Sequence, residues 1–203
     1  MIAIIDYGAG NLTSVARALA HIGVKCNITD RYEDILSSEK IIFPGVGAAG
    51  KAMEIIKARE IDRAIYDVIA QRKPFLGICM GAQIILGRSE ENDTTCLGII
   101  PGAVKRFPEG DLKIPHMGWN NISFVRKHPV FEGLDEKAQF YFVHSYYLAP
   151  EKDGDIVATT DYGISFASVI GHDNVVATQF HPEKSGRHGL QILKNFCDWD
   201  GRV

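Results

Sequence analysis

The sequence predicts an α/β fold: an open, mostly parallel sheet flanked by helices, carrying a mixed or antiparallel β extension. Three observations predict it. Short, continuously apolar runs alternate with helix-period segments through the first half. The second half is instead a series of β-branched and aromatic runs separated by Gly, Pro, Asn and Asp. And 203 residues, 46% of them apolar, supply one domain with a sizeable core, with no repeat or linker to divide 1–203.

The elements follow in order. Ile2 to Asp6 is a buried strand ended by Gly8 and Gly10. Asn11 is placed to cap the next helix, whose Leu12, Val15, Ala16 and Leu19 share one face before Gly23 stops it. Val24 to Thr29 is a second strand, and Ile41-Ile42-Phe43 a short third one ended by Pro44-Gly45. A helical stretch from about Lys51 to Arg72, broken near Arg59, aligns Ile61, Ile65, Val68 and Ile69. Pro74 to Ile78 is the next strand, and Ala82 to Leu86 opens a helix. Strands are then expected at Val104–Phe107, Asn121–Val125, Gln139–Tyr147, Ile156–Thr160 and Ser165–Phe180, the last folded into a hairpin at Gly171–Asn174. A final helix turns Leu190, Leu193, Phe196 and Cys197 inward.

Bulk properties exclude several classes. A formal net charge of -3 with mixed signs gives no footprint for nucleic acid or an anionic membrane. No apolar run spans a bilayer, and Met1–Asp6 is too short and lacks the basic flank of a secretion signal. Cys26, Cys79, Cys96 and Cys197 form no CxxC pair and no zinc spacing, so no metal is expected and the thiols fit a reducing cytoplasm. Nothing calls for an organic cofactor. Gly8-Ala9-Gly10, with Asp30 some 20 residues on, invites a dinucleotide reading, but Thr13 stands where the third glycine belongs.

Three separated pieces add up to one chemistry. Gly77-Ile78-Cys79-Met80-Gly81 puts a thiol on a tight strand-to-helix turn, with small residues two before and two after it so the backbone can pass. Such a turn exposes the sulfur, and helix amides favour thiolate. His181-Pro182-Glu183 follows a strand-like run and so lies at a strand end, with the carboxylate set to orient the imidazole across a stretch read as extended. His116, His144 and His188 are competing bases without a carboxylate nearby in sequence. Pro44-Gly45-Val46-Gly47 offers backbone donors for an oxyanion. A thiol hydrolase that opens a carboxamide is the reaction this combination favours.

Strand–GxCxG–helix followed about 100 residues later by strand–HPE resembles the class I (triad) glutamine amidotransferases over essentially the whole chain. Asp6-Tyr7-Gly8-Ala9-Gly10-Asn11, Pro44-Gly45-Val46-Gly47, Pro115-His116-Met117-Gly118-Trp119-Asn120 and Phe142-Val143-His144-Ser145-Tyr146 resemble the histidine-biosynthesis branch of that family. The resemblance implies that Cys79 attacks the side-chain amide of glutamine, that His181 moves the proton and that Glu183 orients it. It implies an oxyanion hole from the amide of Met80 and one from Gly45, Val46 or Gly47, and substrate contacts from Gln83, Glu91, Ser145 and Tyr146. Val46 stands where many members have glycine. A β-branched residue resists the unusual backbone angles glycine permits, so the loop is expected to rest with an amide turned away until a partner binds. That partner is implied to be a (β/α)₈ cyclase forming a heterodimer and receiving the ammonia. Met117, Trp119, Asn120 and Tyr141 are interface candidates, together with Asn11, because its loop borders the partner surface in the family. A cysteine peptidase of similar architecture, another amidotransferase branch and a binding module that has lost catalysis are the competing readings.

Overall fold

The structure is a computed structural model that describes residues 1–8, 10–110, 112–135 and 137–202. Ala9, within the Asp6–Asn11 motif, lies outside the described residues. The first half is β1 (Ile2–Ile5), α1 (Leu12–His21), β2 (Cys26–Thr29), α2 (Tyr32–Ser37), β3 (Lys40–Gly45), α3 (Ala49–Ala58), α4 (Ile61–Ala70), β4 (Phe75–Cys79) and α5 (Met80–Ile84). The second half adds β5 (Arg88–Ser89), β6 (Thr94–Thr95), β7 (Gly102–Arg106), β8 (His116–Asn121), β9 (Ser123–Phe124), β10 (Gln139–His144), β11 (Tyr146–Pro150), β12 (Ile156–Tyr162), β13 (Ile164–His172), β14 (Val175–Thr178) and α6 (Gly186–Asp198).

The sheet bears out the expected mixture. Its parallel centre runs β2-β1-β3-β4-β14, and β13, β11 and β7 extend it antiparallel, with β12 and β9 paired off that path. β8 and β10 form a separate two-stranded ribbon. Strand alternation divides the core. Ala3, Ile5, Ile41, Phe43 and Phe75 pack under Ile56, Ile61, Ile65 and Val68 of α3 and α4. Ile2, Ile4, Ile42, Leu76 and Ile78 pack on the other face against Val15 and Leu19 of α1 and Ile192, Leu193 and Phe196 of α6. Helices therefore cover both faces, which is why the central strands read as continuous apolar runs rather than alternating ones. No helix of the described residues is long and apolar enough to cross a membrane.

Several local expectations need correction. Asn11 sits at the α1 start, but its side chain does not cap the helix; Oδ1 instead accepts a hydrogen bond from the Ser14 hydroxyl at 2.7 Å. The helix after Cys79 starts at Met80, before Ala82, and stops at Ile84 instead of continuing beyond an opening at Ala82–Leu86, because the Ile84, Ile85 and Leu86 carbonyls are claimed by amides of Leu97, Gly98, Ile99 and Ile100. Its dipole is correspondingly short. The break near Arg59 is present, with Glu60 at φ 55° between α3 and α4. The Gly171–Asn174 hairpin also forms, with Asp173 at φ 51°. There the Asn174 amide donates to the Ile69 and Lys73 carbonyls, tying the hairpin to the end of α4. In α6, Ile192 is buried where Leu190 and Cys197 are only half-buried, so the inner stripe is shifted from the one expected.

Candidate active site

Three adjacent parallel strands carry the candidate residues out of the sheet at their C-terminal ends. β3 ends at Gly45, which is in register with Cys79 at the end of β4, and Thr178 of β14 is in register with Ile78. Ligands of open α/β sheets bind at such strand ends. Cys79 itself has φ 54° and ψ −104°, a conformation costly for a residue with a side chain and typical of functional turns. The flanking glycines are required by space. A Cβ on Gly77 would meet the Gly81 carbonyl oxygen at 2.8 Å, and one on Gly81 would meet the Phe43 carbonyl oxygen at 1.8 Å. Either substitution would push the turn off the sheet.

His181 follows β14 and is nearly buried. Its Nδ1 lies 2.8 Å from Glu183 Oε1, and both side chains are shielded from solvent. The link is not extended, as expected from sequence, but a single 3₁₀ turn over Pro182–Lys184. Pro182 opens that turn, where its missing N–H costs nothing. The turn is fastened to the ribbon: the His181 amide donates to the Tyr141 carbonyl at 2.9 Å, and the Ser185 hydroxyl bridges the His181 carbonyl and the Tyr141 amide. Nε2 of His181 is buried without a hydrogen-bond partner among the described residues. Cys79 is near enough to favour the protonated ring. Burial alone would push the imidazole down; the sulfur and the Glu183 carboxylate outweigh it and raise His181 to about 10.

Cys79 is only 7% exposed, so the free access expected of the thiol is absent in this conformation. A cleft of ≈ 240 Å³ opens beside it, walled by Gly47, Met80, Gln83, Glu91, Ser145 and Tyr146 among others. All six belong to the oxyanion or substrate sets that the family resemblance implies, and the fold brings them together. A larger cleft of ≈ 600 Å³, between Phe124 and Leu134, contains none of the candidate residues. Glu91 is partly committed, since its Oε2 accepts the Ala49 amide at 2.7 Å and so holds the start of α3. Val46 donates its amide to the Tyr7 hydroxyl at 3.1 Å, so that donor is turned away from the sulfur.

Two features were not found from sequence. Gln179, fully buried, accepts from Gln83 Nε2 at 3.2 Å, and its own Nε2 lies 3.8 Å from Cys79 Sγ. Alternation along the strand exit, two residues before His181, was the available signal. The second is a histidine pair. His144 Nδ1 lies 2.7 Å from the Tyr146 carbonyl, which can only accept, so His144 Nε2 must accept from His116 Nδ1 at 2.9 Å. His116 Nε2 then faces the Asn120 amide at 3.3 Å. The Tyr146 carbonyl also takes the second bond of Gln83 Nε2. His116 and His144 are therefore occupied structural groups, not rival bases. His188 is half-buried on α6 and interacts with Arg187.

Burial pushes His116 down to about 4 and His144 to about 3, and His128 is likewise held near 4. All three bind a proton more readily when unfolded, so stability rises with pH between their folded values and about 6.5. Lowering the pH from 7 toward 4 is expected to destabilise the chain by up to about 1.4 kcal/mol per histidine per pH unit below 6.5. Thermal melts across that range check this; a His144→Gln variant should show a shallower slope, and equal slopes would refute it.

The ribbon separates the interface candidates. Met117 and Trp119 are 62% and 54% exposed, and Trp119 stands edge-on to Tyr141 across the strand pair. Asn120 points to the opposite, inner face, where its amide also donates to the Asp161 carbonyl. Asn11 is half-buried at the start of α1.

The profile of the family described as "Glutamine amidotransferase class-I" matches residues 3–199. The chain belongs to that family. It is 50% identical over 197 residues to the imidazole glycerol phosphate synthase subunit HisH of Dehalococcoides mccartyi, covering 97% of this chain and 96% of the relative. The protein of the same name from Chloroflexus aurantiacus is 48% identical over 207 residues, covering 100% and 98%. Among solved structures, a crystal structure of a glutamine amidotransferase matches with TM-score 0.78 and 17% identity over 99% of this chain and 100% of that one. The structure of PurLQS from Thermotoga maritima matches with TM-score 0.75 and 19% identity over 97% of each. These last two bear on the fold alone.

Proposed function

We propose that the chain is the glutaminase subunit of imidazole glycerol phosphate synthase in histidine biosynthesis, one glutamine amidotransferase domain that hydrolyses glutamine and passes ammonia to a cyclase. The observation that carries the catalytic assignment is the convergence of Cys79, His181 and Glu183 at the ends of adjacent strands, with His181 Nδ1 held 2.8 Å from the carboxylate. Cys79 Sγ attacks the side-chain carbonyl carbon of glutamine. Its proton goes to His181 Nε2, which then delivers it to the amide nitrogen as the C–N bond breaks, so that ammonia leaves and the imidazole is neutral again. Water, deprotonated by the same nitrogen, then opens the glutamyl thioester and releases glutamate. Glu183 fixes Nδ1–H, so that Nε2 always faces the sulfur.

The oxyanion that forms at each addition is held by the Met80 amide and by a donor from Gly45–Gly47, with Val46 the donor that must turn. One such donor is worth on the order of 10²–10³ in rate. Gln83, Glu91, Ser145 and Tyr146 hold the substrate's amino-acid end. No step needs a metal or an organic cofactor. The partner is a (β/α)₈ cyclase forming a heterodimer in the cytoplasm, and Met117, Trp119 and Tyr141 with Asn11 are the surface offered to it. Asn120 serves that surface from below, through His116. The ribbon is apt for signalling because Tyr141 is one backbone hydrogen bond from His181. Purified chain mixed with the cyclase should release glutamate from glutamine faster than the chain alone. A complex with no glutaminase activity would leave the binding-module reading standing.

A further inference from the structure

Tyr7 follows the last residues of β1 and is 1% exposed, its ring edge-on to Phe43 at 5.6 Å. Its hydroxyl accepts the Val46 N–H at 3.1 Å and lies 3.1 Å from the Val46 carbonyl, to which it donates. A hydroxyl has one proton and two lone pairs, so both bonds coexist. Val46 is 38% exposed, so its own packing is incomplete, while the phenol bonds both the N–H and the C=O of this residue.

We propose that Tyr7 is a positioning residue that clamps the Val46 peptide in its resting orientation, withholding one oxyanion donor from Cys79 until the partner is bound. This rests on the glutaminase reading above. The surroundings fit a clamp. A Cβ on Gly45 would lie 2.6 Å from the Tyr7 hydroxyl oxygen and 2.8 Å from Met80 Cβ, so only glycine lets the phenol reach between the loop and the nucleophile turn. The Asp6 carboxylate accepts the Gly8 amide at 2.7 Å, a local turn that fixes the chain on the far side of Tyr7. A Cβ on Gly10, at φ 126°, would lie 3.5 Å from the Pro44 carbonyl oxygen and 3.7 Å from Gly45 Cα, so the loop after β1 runs beside the Gly45–Gly47 loop. Asn11, an interface candidate, is four residues from Tyr7. A partner pressing on Asn11 therefore acts on the same loop that carries the phenol. The low exposure of Cys79 matches a resting state in which this loop has not yet opened.

The test is Tyr7→Phe, which keeps the ring and its packing and removes the hydroxyl. Two neutral hydrogen bonds bias the loop roughly 10- to 30-fold. Glutaminase kcat of the isolated variant is expected to rise roughly tenfold within that bias. KM for glutamine should stay close to the wild-type value, and so should the rate in the cyclase complex, so the stimulation ratio falls by the same factor. Unchanged or lower basal kcat, or a loss in both states, overturns the clamp. Hydrogen exchange at the Val46 amide of the wild type gives a readout independent of any variant: protection in the isolated chain, lost in the cyclase complex without glutamine, where the amide has left the phenol and no substrate oxygen holds it. Equal exchange in both states also overturns it. A wild-type complex that cannot hydrolyse glutamine sinks the glutaminase reading and the clamp together. An active wild-type complex with an insensitive Tyr7→Phe sinks the clamp alone.

Discussion

Cys79→Ala is expected to abolish glutamine hydrolysis, in isolation and in the cyclase complex, with a loss on the order of 10⁶ in kcat. No other group near the cleft replaces a sulfur nucleophile. The remaining cysteines are elsewhere, and burial pushes Cys96 and Cys197 each up to about 11. The backbone makes a second, sharper expectation. Cys79 at φ 54° and ψ −104° is strained for any residue with a Cβ, alanine included. Cys79→Gly should be equally inactive yet melt higher than Cys79→Ala, because glycine adopts that conformation without the steric cost. Calorimetry on the two variants reads this difference. Alanine melting at or above glycine would mean the turn is relaxed.

Glu183→Gln should lower kcat by about 10²–10⁴ with little change in KM, by analogy with loss of the orienting carboxylate in other triads. The amide can offer its NH₂ group to Nδ1 and so stabilise the wrong tautomer. Removing the charge also removes one of the contributions that keep His181 high against the opposing effect of burial. The stability consequence has a definite sign. A histidine raised to about 10 in the folded chain contributes stability that is complete below about 6.5 and is lost as pH rises through about 10. The gap in melting temperature between wild type and Glu183→Gln should therefore be widest near pH 6 and narrow toward pH 10. A constant gap would assign Glu183 a packing role only.

The nucleophile turn was legible because its demands are steric and local. Gly77 and Gly81 are the residues whose absent side chains face the Gly81 and Phe43 carbonyls, and a pattern of small residues around a thiol records that directly. His181 was legible because a run of apolar β-formers ends just before it. The parts that were not legible depend on contacts made across the fold. Asn11 looked like a cap, but a hydroxyl three residues away competes for the same oxygen. The expected strand starts only at Asn121, since His116, Gly118 and Asn120 lack strand propensity; pairing of β8 with β10 supplies the order that those residues do not. Gln179 offers only a weak signal, its place two residues before His181 just past β14, and its role shows only once the fold sets its amide 3.8 Å from Cys79 Sγ. His116 and His144 looked like candidate bases because sequence does not reveal burial, and burial is what holds them neutral.

Mass spectrometry of the complex quenched during turnover, intact and after digestion, observes directly the consumption of glutamine through the sulfur of Cys79. It should reveal a transient glutamyl adduct on the peptide containing Cys79, absent in Cys79→Ala and delayed in Glu183→Gln. Steady release of glutamate with no adduct in the wild type, or an adduct that persists in Cys79→Ala, would contradict it.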